Sequence, residues 1–233
     1  MRLLVIIPAY NEAENIGRVI EELKPYGYDY LIVNDGSSDA TAALCREKGY
    51  HLLDLPVNLG LTGAMQAGMK YAWQNGYDYV VQLDGDGQHD PQYIDVMLQQ
   101  MLESQADIVI GSRFVTKKKP HSLRMMGSNL IQFAIRLTTG NTICDPTSGL
   151  RLYNRTMLRE FVSDFNLTPE PDTLCYLILC GANILEVQVE MRERIAGESY
   201  LNLSRSIQYM LHMGLSILLI QWFRDKKPVK KEV

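Results

Sequence analysis

Short apolar runs alternate with amphipathic segments through the first half of the chain, and that alternation confines it to one fold class. Residues 3–8, 30–34, 51–55, 79–84 and 107–112 are brief, apolar and rich in β-branched or aromatic side chains, as strands are. Between them, residues 14–24, 39–48, 63–75 and 91–105 carry the 3.6-residue period of helices. Such a repeat predicts an α/β fold, a mostly parallel sheet covered by helices on both faces. Ligands of such sheets bind beyond the carboxyl ends of the strands, so the strand-to-helix loops should carry the chemistry. A length of 233 residues suits one domain, expected over residues 1–199, with a short accessory segment over 200–233.

The expected loops are polar. Pro8-Ala9-Tyr10-Asn11-Glu12 follows the first run, Asn34-Asp35-Gly36-Ser37-Ser38-Asp39 the second, and Asn58-Leu59-Gly60 the third. The fourth run ends in Asp84-Gly85-Asp86-Gly87-Gln88-His89-Asp90-Pro91. Two carboxylates one residue apart, with glycines that let the backbone fold tightly, suit a hard divalent cation, Mg2+ or Mn2+, that keeps positions for water and phosphate. Standing alone, the same turn also reads as an acidic bend before a helix. Asp39 reads as the N-cap of the second helix. Tyr10 and Glu12 fit either a ligand loop or a solvated turn whose helix favours acids at its start. His89 reads as a structural loop histidine. Four such loops on one rim make a pocket.

Composition narrows the partners. A net charge of −4 argues against general nucleic-acid binding, and 46% apolar with 21% charged residues is globular composition. Cys45, Cys144, Cys175 and Cys180 lack metal-ligand spacing and are expected to be reduced. The apolar run at the N-terminus meets Pro8 too early to be a signal-peptide core.

Through Pro8-Ala9-Tyr10-Asn11-Glu12, Asn34-Asp35-Gly36-Ser37 and Asp84-Gly85-Asp86-Gly87-Gln88-His89, the chain resembles the family-two inverting glycosyltransferases of the GT-A fold. Within them it is most similar to the polyprenyl-phosphate glycosyltransferases, the group that includes dolichol-phosphate mannosyltransferase. The resemblance implies a nucleotide-sugar site built from Pro8, Tyr10, Glu12, Asp35, Asp84 and Gly85, with Asp35 reading the base and Asp84 near the ribose. It also implies that Asp86 and Gln88 hold the cation against the diphosphate. Many relatives carry paired aspartates where this chain has Asn34-Asp35, which leaves the preferred nucleotide open.

The second half bears on the acceptor. Gly111-Ser112-Arg113 ends the fifth run, and Arg124 and Ser128, four residues apart on one helix face, reach a common oxyanion. An arginine fork and a hydroxyl suit a phosphate. By the resemblance, Arg124 and Ser128 fix and aim the phosphate of a lipid acceptor, with Arg113 beside both substrates. The stretch Asp145-Pro146-Thr147-Ser148-Gly149-Leu150-Arg151 resembles a segment that closes one side of the active site. The resemblance also implies a basic residue that meets the donor diphosphate, for which Arg192 or Arg194 would serve, although a surface ion-pair patch is the competing reading.

The segment from Leu203 to Phe223 is apolar but interrupted by Arg205, Gln208, His212, Ser216 and Gln221, so it falls short of the roughly 20 residues that span a bilayer. With the lysines after residue 225 and the apolar helix expected over 122–137, it fits a membrane surface. Packing in the core or in a homo-oligomer is the alternative. Taken together, the expected protein is cytoplasmic and peripheral at the inner face of the cell membrane. It is expected to move a hexose from UDP-glucose or UDP-N-acetylglucosamine to polyprenyl (undecaprenyl) phosphate in cell-envelope polysaccharide assembly. A GDP-mannose donor, a saccharide hydroxyl acceptor, and an inactive nucleotide-binding scaffold remain as alternatives.

Overall fold

β1 (Leu3–Ala9) lies inside the sheet, and its residues from Leu3 to Ile7 are all buried because helices cover it on both faces. The structure, a computed structural model, describes residues 1–120, 122–192 and 203–229. β2 (Asp29–Asp35) and β4 (Tyr79–Gln82) flank β1 in parallel, and β3 (Leu52–Leu55) extends the sheet beyond β2. The crossovers are α1 (Ile16–Leu23), α2 (Thr41–Glu47), α3 (Gly60–Gln74) and α4 (Tyr93–Ser104), which leads to β5 (Ile108–Ser112). These are the strands and helices that the periodicity predicts, with ends displaced by a few residues.

The second half departs from simple repetition. After α5 (Leu123–Thr139), β6 (Arg151–Asn154) inserts between β4 and β5 and runs antiparallel to both. α6 (Arg155–Ser163) and α7 (Pro171–Leu179) follow, and β7 (Ile184–Gln188) pairs in parallel with β5. The seven strands lie in the order β3-β2-β1-β4-β6-β5-β7. Local chemistry starts several helices. Ser122 accepts a hydrogen bond from the amide of Met125 at the head of α5, Asn154 does the same for Met157 at the head of α6, and Pro171 opens α7.

Alternate residues of the strands feed two apolar layers. Leu4 and Ile6 pack with Met65 and Met69 of α3, whereas Val5 and Ile7 pack with Val19 and Ile20 of α1. The last helix, α8 (Leu203–Leu215), continues through a π-helical turn over Ser216–Ile220 to Phe223. It lies against α5 and α7, where Met213 and Ile217 are buried. Ser216 Oγ donates to Asp172 Oδ2 at 2.8 Å, the Tyr209 hydroxyl donates to Glu170, and the amide of Val229 reaches the carbonyl of Cys180 at 2.9 Å. The C-terminal segment is therefore tied to α7 by polar as well as apolar contacts. The expected boundary near residue 199 lies outside the described residues. No helix among the described residues is long and apolar enough to cross a membrane. All four cysteines are free thiols.

Candidate active site

The loops at the carboxyl ends of β1, β2 and β3 are locked to one another by short polar side chains. Asn11 adopts a left-handed backbone (φ 55°), which asparagine tolerates better than most residues. Its Oδ1 accepts from the amide of Ser38 at 2.9 Å, and its own amide donates to Ser37 Oγ at 2.9 Å. The amide of Glu12 donates to Thr41 Oγ1 at 2.9 Å, while its buried carboxylate accepts from Asn15 Nδ2 at 2.7 Å. Asp35 is 4% exposed, and its Oδ1 accepts from the amide of Leu59 at 2.7 Å.

Asp39 is not the cap of α2, because Ala40 takes that position. Its carboxylate instead receives the amide and hydroxyl of Thr41 and the amide of Ala13. Burial opposes its ionisation, but these hydrogen bonds prevail and hold its pKa below the ordinary carboxylate value.

Gly36 shows how closely the loops approach. It has φ +63°, and a Cβ there would lie 2.6 Å from the backbone nitrogen of Asn58 and from the carbonyl carbon of Val57. Gly36→Ala is expected to cost about 1–3 kcal/mol through left-handed strain and overpacking against rigid backbone. Denaturant unfolding would register the stability loss, and a titration of nucleoside diphosphate would register any accompanying distortion of the loops.

The acidic turn after β4 is organised by its own histidine. The amide of Asp84 donates to Nδ1 of His89 at 3.1 Å, and His89 is 4% exposed. The structural part expected of His89 matches this placement. Asp84 Oδ1 accepts from Gln82 Nε2 at 3.1 Å, and Asp86 Oδ1 accepts from the amide of Gln88 at 3.0 Å. Gly85 backs onto the first loop, where a Cβ would stand 3.0 Å from the carbonyl oxygen of Pro8.

Asp84, Asp86 and the Gln88 amide offer only hard oxygen donors. Among the described residues no cluster of three or more His, Cys, Asp or Glu side chains makes a closed metal cage. An open oxygen set fits Mg2+ or Mn2+, which binds through one or two carboxylates and completes its shell with water and phosphate.

A second cluster lies at the end of β5. Arg113 grips the fully buried Asp145 with a bidentate fork, Nε to Oδ2 at 2.7 Å and Nη2 to Oδ1 at 2.8 Å, and its amide donates to Oδ2 as well. The amides of Cys144 and Asp145 donate to the Glu186 carboxylate. Farther along the same segment, Gly149 rests on the acidic turn, where a Cβ would lie 2.6 Å from Asp84 Oδ2. Residues 145–149 therefore connect the acidic turn to Arg113. Arg151 fixes this segment from beneath. It is 2% exposed and donates to the carbonyls of Pro146 (2.8 Å), Ser148 (2.8 Å) and Pro169 (3.0 Å).

Pro8, Tyr10, Glu12, Asp35, Asp84, Gly85, Asp86 and Gln88 thus share one rim, formed by the ends of β1, β2 and β4. Arg113 and Ser128 belong to the β5–α5 cluster. Arg124 stands on α5 one turn before Ser128, but its side chain and the whole of Arg194 lie outside the described residues. Arg192 is engaged in ion pairs with Glu22 at 2.6 Å and Asp90 at 2.5 Å, while its amide donates to the carbonyl of Gln88 at 2.9 Å. Asn11, Glu186 and Lys119 were not anticipated. The partners of Asn11 lie 26 and 27 residues away at Ser37 and Ser38, Glu186 sits in an apolar strand, and Lys119 is one of three consecutive lysines.

The family model for "Glycosyl transferase family 2" matches residues 4–162. The chain is 32% identical over 214 residues to an undecaprenyl-phosphate mannosyltransferase of Micrococcus luteus, covering 85% of this chain and 87% of that protein. It is 30% identical over 178 residues to a UDP-N-acetylglucosamine–dolichyl-phosphate N-acetylglucosaminyltransferase of Methanococcus voltae, covering 67% and 71%. Its fold is similar to that of glucosyl-3-phosphoglycerate synthase from Mycobacterium tuberculosis, crystallised with Mn2+ and UDP-glucose, with a TM-score of 0.70 at 18% identity over 93% of this chain and 79% of that one.

Proposed function

The chain belongs to glycosyl transferase family 2, and on that premise we propose that it transfers a hexose from a nucleotide sugar to polyprenyl phosphate with inversion at the anomeric carbon. One observation carries the proposal: residues 145–149 touch both clusters, gripping Arg113 through Asp145 and seating Gly149 on Asp84. A diphosphate bound at the acidic turn and a phosphate bound beside Arg113 and Ser128 would then face each other across one segment. The two relatives are named for undecaprenyl and dolichyl phosphate acceptors, which supports a lipid phosphate here.

The chemistry asks little of a general base, because a phosphate oxygen is already ionised at neutral pH. Asp35 binds the nucleobase edge, Asp84 the ribose, and Asp86 with Gln88 holds the cation. Bound Mg2+ or Mn2+ supplies charge neutralisation for the departing nucleoside diphosphate. Arg113, Arg124 and Ser128 position the acceptor phosphate in line with the anomeric carbon, converting an encounter of two substrates into an oriented displacement. UDP-glucose and UDP-N-acetylglucosamine are the donors first expected, the latter being the donor in the name of the Methanococcus relative, and GDP-mannose is the alternative, mannosyl transfer being what the Micrococcus relative is named for. A radiolabelled donor should pass its label into an organic-extractable, mild-acid-labile product. Label recovered only in water-soluble saccharide would favour the hydroxyl-acceptor alternative.

Apolar stripes on two adjacent helices support peripheral docking on an anionic bilayer. Met126, Leu130, Phe133 and Leu137 are exposed along α5, and Leu211, Leu215, Leu219 and Phe223 along the last helix, with exposed Lys226 and Lys227 beyond. Apolar side chains at helical spacing beside cations fit the headgroup boundary where a lipid phosphate resides. The variant Leu137→Asp/Leu215→Asp is expected to weaken flotation with anionic vesicles by at least about tenfold, since each leucine loses roughly 1.5–3 kcal/mol of burial. Unchanged flotation, or dissociation of a dimer by the same variant, would assign the face to something other than lipid.

A further inference from the structure

Lys119 sits differently from the lysines beside it. Lys117 and Lys118 are exposed, whereas Lys119 is half-buried and reaches inward. Its Nζ lies 3.1 Å from Ser128 Oγ and 3.0 Å from Gln132 Oε1, so it bridges two successive turns of α5. It also lies 5.6 Å from the ring centroid of Phe114, the ring over which the Arg113 guanidinium sits at 5.1 Å. An ammonium and a guanidinium therefore share one aromatic ring, beside a hydroxyl that is 1% exposed.

Charge balance at this cluster is unusual. Asp145 is taken up by Arg113, Glu186 by the amides of Cys144 and Asp145, and Glu190 by Lys117. Among the described residues Lys119 forms no ion pair. Burial, aided by nearby Arg113, pushes its pKa below the usual lysine value, against the pull of Asp145, Cys144 and Glu186. A compact cation held half-buried on neutral hydrogen-bond partners is prepared for an anion that arrives from outside.

We infer that Lys119 is a ligand of the acceptor phosphate, acting with Ser128 and alongside Arg113. The assignment rests on the lipid-phosphate acceptor proposed above and adds to it a residue in the β5–α5 loop. Arg113 gives Nε and Nη2 to Asp145, which offsets its charge, whereas the hydrogen-bond partners of Lys119, Ser128 and Gln132, are neutral and leave its charge for the phosphate.

The test compares Lys119→Met, Lys119→Arg and Lys118→Met with the parent protein, using undecaprenyl phosphate in detergent micelles and the donor that the parent accepts. Losing one charge-assisted hydrogen bond should raise the acceptor KM of Lys119→Met by about tenfold to a hundredfold, and the donor KM should stay within about twofold. Lys119→Arg should recover most of the acceptor affinity, and Lys118→Met should match the parent. An acceptor KM unchanged in Lys119→Met, or a rise shared equally with the donor KM, would overturn the assignment. So would an acceptor KM for Lys119→Arg as poor as that of Lys119→Met, because the site would then need the shape of lysine rather than its charge. A parent protein that transfers to no lipid phosphate at all would remove the acceptor proposal itself, a failure distinct from these.

Discussion

Asp86→Ala is expected to abolish metal-dependent transfer while leaving the protein folded. The Asp86 carboxylate belongs to a half-exposed turn at the rim of the sheet, where Oδ1 accepts a hydrogen bond from the amide of Gln88, so its removal leaves the apolar core in place. The turn itself keeps its shape through the His89 contact with Asp84 and the close packing of Gly85 on Pro8. Losing a principal electrostatic contact to the leaving group should lower kcat by at least about 10^2- to 10^3-fold, the range measured when one transition-state donor is removed. Donor turnover at saturating Mn2+ and the thermal midpoint, measured together, separate this from unfolding. Parent-like rates would show that the cation is held elsewhere.

Arg151→Leu is expected to have the largest effect on stability. The guanidinium is buried among three backbone carbonyls to which it donates, and it stands at the start of the strand inserted between β4 and β5. Removing it leaves buried acceptors unpaired, and the expected cost is about 3–5 kcal/mol. For a chain of this size that corresponds to a fall in Tm of about 10 °C. Activity should fall further than stability in the variant that remains folded, because the same carbonyls belong to the segment that seats Gly149 on Asp84. Equal losses in Tm and in rate would make Arg151 a purely structural residue.

The parallel half of the fold was legible because its strands are apolar on both faces and its helices amphipathic, so residues 3–8 and 30–34 announced themselves by composition. β6 was not. Arg151-Leu152-Tyr153-Asn154 is four residues long and polar at both ends, and its arginine is buried by tertiary hydrogen bonds that no local pattern encodes. The acidic turn and the loops at the ends of β1 and β2 were legible for a related reason. Glycine and carboxylate spacing is dictated by tight backbone and ligand chemistry, and both are local. The cluster at the end of β5 was only partly so. Ser128 could be placed by its spacing from Arg124, but the pairing of Arg113 with Asp145 spans 32 residues. The choice of Lys119 over its neighbours depends on the direction taken by the β5–α5 loop. Arg192 illustrates the opposite limit: its charge was visible, whereas its partners Glu22 and Asp90 come from elements distant in sequence.

The decisive experiment supplies the purified protein with Mg2+ and a panel of UDP- and GDP-sugars, with and without polyprenyl phosphate, and measures nucleoside diphosphate release. Release from one donor, strongly dependent on the lipid phosphate and lost on chelation, is the predicted result. Release indifferent to lipid phosphate but stimulated by a saccharide hydroxyl, or no release from any donor, would contradict it.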